Sequence, residues 1–385
     1  MENIKPFSID VSDTALSDLQ HRLEHSRWPD EISNSDWNYG TNLTYLKDLA
    51  EYWKTQFSWR EQEVKLNAFK HYISKIDGLN IHFIYERGKG PNPLPLIISH
   101  GWPSSFIEMI TMIPMLTDPA KYGGDPNHSF DVIVPSMPGF GFSDCPTEQG
   151  FGIQKIADIV FKLMTEVLGY ERFYAHGGDF GTRVTARLGF TYPNHVMAIH
   201  TNSVNGFTPG RPYPGTRSAS AIEENMFAAR AKWLEGEGGY SHIQSTKPQT
   251  VAYGLNDSPI GLAAYLIEKY RGWSDCNGEI ETRFSRDELL TMITLYWLTQ
   301  TINSSMRLYY ECRANPWVLS VNEKITVPCA VACFTNDNVP LVKEWAERFY
   351  NLQRWTEFSR GGHFPAFEEP ELLANDIRAF FYHLA

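Results

Sequence analysis

Ala175-His176-Gly177-Gly178-Asp179-Phe180-Gly181-Thr182 links the apolar run Phe173-Tyr174-Ala175-His176 to a stretch with helical spacing. Gly177 and Gly181 stand two residues before and two after Asp179. A side chain presented at the tip of a tight strand-to-helix turn requires small residues at those positions, because the turn strains the backbone and packs closely. A dinucleotide phosphate cradle would show GxGxxG spacing after an early strand, and this motif has neither the spacing nor the position. Asp179 is therefore the candidate nucleophile.

Outward from this turn, short apolar runs alternate with helical segments. Leu79–Tyr85, Pro95–His100, Phe130–Pro135, Phe173–His176, Val196–His200, Val327–Phe334 and Trp355–Phe358 read as strands. Runs bounded by Gly and Pro and separated by helices predict a parallel sheet covered on both faces. Residues 206–320 lose that rhythm and read as helices over Ala221–Leu234, Gly261–Arg271 and Arg286–Asn303. Strand–helix alternation then returns, with helices over Val342–Phe349 and Pro370–Leu384. Residues 1 to 75 or so read as polar helices. The expected layout is α/β: an N-terminal extension (1–92), a mostly parallel sheet core (93–205), a helical cap (206–320) and the rest of the core (321–385).

An Asp at the tip selects the chemistry. Its carboxylate is ionised at neutral pH and attacks without help from a base. Attack on an electrophilic sp3 carbon leaves an alkyl ester, and cleaving that ester with water requires a base and an oxyanion hole. This favours carbon–oxygen or carbon–halogen cleavage over peptidase or lipase action. In the order nucleophile, acid, histidine, His363 of Ser359-Arg360-Gly361-Gly362-His363-Phe364-Pro365 follows the last expected strand and is the candidate base. His100, His176 and His200 lie in or beside strands, where a structural role is commoner. Asp337 follows the penultimate strand in Phe334-Thr335-Asn336-Asp337-Asn338 and would orient the imidazole; loop Asp residues otherwise cap turns and helices. The loop after the preceding strand, Thr201–Asn205, offers no acid. His100-Gly101-Trp102-Pro103 follows the first strong core strand, which assigns the oxyanion hole to the backbone N–H groups of Trp102 and Phe180.

Composition excludes other classes. Of 385 residues, 42% are apolar, so the chain can bury a core. Lys plus Arg total 34 against 45 Asp plus Glu, a net charge of −11 that argues against nucleic acid as a partner. No apolar run is long enough to span a membrane, and the N-terminus lacks the pattern of a signal peptide. Five cysteines without metal-ligand spacing fit reduced thiols and a cytoplasmic location.

His100–Pro103 (HGWP), Gly177–Gly181 (GGDFG) and Arg360–Ile377 (RGGHFPAFEEPELLANDI) together make the chain resemble the microsomal-type epoxide hydrolases of the α/β-hydrolase superfamily. The likeness extends through the N-terminal segment, from Phe7 to Trp28-Pro29. It implies hydrolysis of an epoxide to a vicinal diol through an ester on Asp179. It also implies two lid tyrosines that hold the ring oxygen, Tyr240 and Tyr309. Tyr310, the neighbour of Tyr309, is the competing candidate, and most of the 19 tyrosines are packing residues. Asp337 stands where some members carry Glu. The implied partners are a small apolar epoxide and water, with no cofactor and no metal; oligomeric state is not legible. The alternative is a haloalkane dehalogenase-like reaction with the same nucleophile, although Phe180 in place of Trp after Asp179 weakens it. A binder without catalysis would need none of this constellation.

Overall fold

The computed structural model describes residues 4–204 and 217–385. The expected start of the cap, residues 206–216, lies outside them. Nine strands form one sheet: β1 (Ile4–Phe7), β2 (His71–Ile76), β3 (Leu79–Glu86), β4 (Leu94–Ser99), β5 (Phe130–Pro135), β6 (Phe173–Gly177), β7 (Val196–Thr201), β8 (Ile325–Phe334) and β9 (Tyr350–Phe358). Their order is β1-β2-β3-β5-β4-β6-β7-β8-β9. β4 through β9 pair in parallel, while β1, β2 and β3 join antiparallel at one edge. The central strands are buried on both faces, as Leu96-Ile97-Ile98 and Val132-Ile133-Val134 show. Such runs suit a sheet covered by helices on each side.

Residues 1–75 are not wholly helical as expected. β1 and β2 frame α1 (Asp13–Glu24), α2 (Leu43–Thr55) and α3 (Trp59–Leu66). β1 is a short edge strand containing Pro6, so its four residues carry little periodic signal. In β2 a period of two is blurred by polar residues that the pairing with β3 accommodates. The helices follow their local signals: Ser12 accepts from the Ala15 N–H to cap α1, and α2 buries Leu46, Leu49, Ala50 and Trp53.

Within the core, α4 (Met112–Thr117), α5 (Ile153–Lys162) and α6 (Phe180–Thr191) precede the lid. The lid comprises α7 (Ala221–Glu237), α8 (Gly239–Thr246), α9 (Pro248–Leu255), α10 (Pro259–Trp273), α11 (Arg286–Thr299) and α12 (Ile302–Ala314). The single helix expected over Arg286–Asn303 ends at Thr299, where Gln300 turns left-handed at φ 55°. After the lid come α13 (Lys343–Phe349), α14 (Pro365–Glu368) and α15 (Pro370–Leu384).

The lid is tied down on two sides. Glu223 of α7, fully buried, meets Arg348 of α13 at 2.7 Å and Arg217 at 2.8 Å. On the other side Arg22 reaches Asp257 at 2.8 Å, Thr41 donates to the Ala264 carbonyl at 2.6 Å, and the Tyr52 hydroxyl donates to Asp287 at 2.9 Å. The N-terminal helices thus brace α10 and α11.

Candidate active site

The turn after β6 carries Asp179 at φ 47° and ψ −123°, a conformation L-residues rarely hold. The glycines around it are sterically required. A Cβ on Gly177 would lie 2.2 Å from the Gly181 carbonyl oxygen, and one on Gly181 would lie 1.9 Å from that of Ser99. Gly101, on the loop after β4, leaves room for the Asp179 carboxylate itself: a Cβ there would meet Asp179 Oδ1 at 2.2 Å.

Four strand ends converge at this point, the crevice beyond the carboxyl edge where open α/β sheets place their ligands. From the loop after β4, the Trp102 N–H donates to Asp179 Oδ1 at 2.9 Å. Phe180 opens α6, so its N–H is one of those with no acceptor inside the helix. From the loop after β8, Asp337 Oδ1 sits 2.7 Å from His363 Nδ1. His363 follows β9, and its Nε2 lies 3.4 Å from Asp179 Oδ2. Burial works against charging this imidazole. The Asp337 carboxylate and then Asp179 outweigh it and hold the ring well above its ordinary pKa.

The loop bearing His363 is fixed by contacts that the sequence reading missed. Glu368 accepts from the N–H groups of Gly362 at 3.0 Å, Phe364 at 2.9 Å and Asp275 at 2.7 Å. The His363 N–H donates to the Trp273 carbonyl at 2.8 Å, and the Trp273 ring meets the imidazole edge-on at 5.1 Å. In sequence Glu368 is one of four acids in a helix-rich tail, with no local feature to single it out.

Tyr240 of α8 and Tyr309 of α12 come together above Asp179. Their rings are 5.9 Å apart and nearly perpendicular. Trp102 stacks on Tyr240 at 5.4 Å and meets Tyr309 edge-on at 5.7 Å, while Phe180 packs on Tyr309 at 4.7 Å. Both phenols have their pKa raised, first by burial; the Asp179 charge adds to this. They stay protonated and are poised to donate. Tyr310 points away and is 43% exposed.

Asp179, Phe180, Tyr240, Tyr309, Asp337 and His363 all line one cavity of about 450 Å³. Its remaining wall is largely apolar, with Val204, Met226, Trp233, Leu319 and Val339, but Arg183, Arg230 and Arg313 also reach it. No helix among the described residues is long and apolar enough to cross a membrane.

Residues 4–109 match the family model described as epoxide hydrolase N terminus, and residues 95–259 match that of the alpha/beta hydrolase fold. Epoxide hydrolase 1 of Sus scrofa is 40% identical, with 98% of this chain and 88% of that protein aligned. The crystal structure of juvenile hormone epoxide hydrolase from the silkworm Bombyx mori superposes with a TM-score of 0.86 at 32% identity, covering 99% of this chain and 94% of that one. The Aspergillus niger epoxide hydrolase structure gives 0.85 at 29% identity, covering 99% and 96%.

Proposed function

The chain belongs to the epoxide hydrolases of the α/β-hydrolase fold, and we propose that it opens its substrate through a covalent ester on Asp179. The observation that carries this reading is the pair of distinct partners at the two oxygens of that carboxylate. Oδ1 is held by the Trp102 N–H, and Oδ2 faces His363 beneath the two phenols. Oδ2 attacks a ring carbon, the carbon–oxygen bond breaks, and the electron pair moves onto the ring oxygen. Tyr240 and Tyr309 hold that oxygen and deliver a proton to it, so no free alkoxide has to leave.

The charge balance around His363 supplies the switch between the two steps. In the free enzyme two carboxylates favour the imidazolium. Esterification cancels the charge on Asp179, and the burial that disfavours a cation then draws the proton off. The proton released replaces the one the phenols gave. Neutral His363, oriented by Asp337, takes a proton from water as the water attacks Cγ of Asp179. The resulting oxyanion grows on Oδ1, where the Trp102 and Phe180 N–H groups receive it. Collapse releases the diol with Oδ2 as its new oxygen.

A single turnover in heavy-oxygen water tests the sequence of events. Label is expected in the Asp179 carboxylate and not in the first diol released; label in that diol would refute the ester. Dehalogenation by the same nucleophile is not favoured: the lid groups that meet the Asp179 charge are two phenols, and the relatives this chain matches over nearly its full length are epoxide hydrolases.

A further inference from the structure

The chemistry proposed above leaves three cationic side chains in the cavity unused, and one of them, Arg313 near the end of α12, is exposed to solvent. Arg183 lies one turn beyond the nucleophile on α6, and Arg230 reaches the cavity from α7 in the lid. Among the described residues neither guanidinium forms a hydrogen bond or an ion pair, and Arg230 Nε is fully buried without a partner. The cavity's two acids are already engaged, since Asp337 and Asp179 both face His363. Residues 205–216 could not supply a counter-ion either, because their sequence contains no Asp or Glu.

An unpaired guanidinium in a buried site is costly, and among the described residues no carboxylate forms an ion pair with either one. Burial pushes Arg230 down from its usual pKa; Tyr240 and Asp337 offset this only in part, and the nearby Arg183 adds to it. Two like charges converge on one apolar cavity in a protein whose net charge is −11. That arrangement is unfavourable until an anion arrives, and the planar fork of Arg matches a carboxylate better than a point charge does.

We propose that Arg183 and Arg230 form an anion subsite, so that the preferred substrate is an epoxide carrying a carboxylate at the end of an apolar chain. This rests on the epoxide chemistry assigned to Asp179. The apolar residues of the cavity wall, Met226, Leu319 and Val339 among them, accommodate the chain, and the charged head fixes which end enters first.

A matched pair of probes reads the subsite: epoxyundecanoic acid and its methyl ester, which differ in charge and not at the reacting carbons. The expected acid-to-ester ratio in kcat/KM is about 10 to 100, the range of a buried charge-assisted hydrogen bond. In Arg230→Met the ratio falls towards one through a higher KM for the acid, and Arg230→Lys recovers part of it. Undecanoate, which has no epoxide, should bind the wild type by calorimetry and bind the Met variant at least about tenfold more weakly. A wild-type ratio near one, or a ratio retained in Arg230→Met while both substrates slow through kcat, overturns the subsite and assigns Arg230 to Tyr240 instead. Undecanoate binding that depends on Arg230 supports the subsite even if neither epoxide is turned over, a result that would count against the Asp179 reading alone.

Discussion

Replacing Asp337 with Asn separates the two proposed chemical steps. The carboxylate sits 2.7 Å from His363 Nδ1, and its side chain is 9% exposed. Two opposite charges about 4 Å apart at an effective dielectric near 20 interact by about 4 kcal/mol. The imidazolium formed as water is deprotonated loses that stabilisation. The Asn amide also leaves the ring free to adopt the other tautomer, with the proton on Nε2 where the base must be bare. Loss of the orienting acid in a Ser-His-Asp triad costs about four orders of magnitude. Ester hydrolysis in Asp337→Asn should therefore slow by about 10³- to 10⁴-fold, which is ~4–5.5 kcal/mol of barrier.

Ring opening does not use His363 as a base, so alkylation should keep its rate to within about tenfold. The variant mixed with excess epoxide should then accumulate one equivalent of adduct. Intact-mass spectrometry would find the enzyme heavier by one substrate, and peptide mapping would place the addition on Asp179. Epoxide consumption would show a burst of about one equivalent, while diol release is nearly arrested from the first turnover. If turnover collapses with no adduct, His363 and Asp337 act in ring opening and the two-step assignment is wrong. If turnover stays within tenfold of wild type, Asp337 does not orient the base.

Three further outcomes are expected. Tyr240→Phe and Tyr309→Phe should each slow alkylation by about 10²- to 10³-fold, the usual cost of losing one donor to a developing oxyanion; pre-steady-state burst rates would show the loss, while melting temperatures stay close to wild type. Gly181→Ala forces a Cβ to within 1.9 Å of the Ser99 carbonyl oxygen, so the turn must shift, at a cost of about 1–3 kcal/mol in denaturant melts and roughly a hundredfold in turnover. The raised pKa of His363 contributes stability that is fully present below the unfolded-state value of about 6.5 and is lost as pH rises through the folded-state value; urea titrations should show wild type losing stability relative to His363→Gln across that window, and a gap that widens with pH would contradict the assignment.

The residues whose role is local were legible. A turn with glycines at fixed offsets around an acid has few structural solutions, so GGDFG announced both its backbone and its tip. Buried β-branched runs announced the central strands for the same reason. What was not legible depends on partners far along the chain. Gln300 ends α11 with a left-handed residue that is neither Gly nor Pro, so nothing in Thr299-Gln300-Thr301 marks the break. Tyr309 and Tyr310 differ by one residue, about 100° around a helix, and only the packing of α12 against α8, α9 and the Phe180 ring decides which one faces the cavity. Arg183 and Arg230 each look like charges on a solvated helix face. Their lack of counter-ions becomes visible only when α6 and α7 are brought together.

The positions of base and lid follow from one set of contacts. His363 hangs between the core strand that precedes it and the lid segment after α10, through the Trp273 carbonyl and the Glu368 bridge to the Asp275 N–H. Asp275 binds Arg283 at 2.7 Å and accepts from the Gly361 N–H at 2.9 Å, closing a loop of bonds around the base. α10 and α11, which flank this segment, are held in turn by Thr41 and Tyr52 of the N-terminal segment, and Arg22 holds Asp257 just ahead of α10. A displacement of the N-terminal segment would pass through the lid to the imidazole, and the 3.4 Å separation between His363 and Asp179 leaves little room for one. The three strands and three helices ahead of the core therefore bear on the placement of His363 although none of their residues lines the cavity.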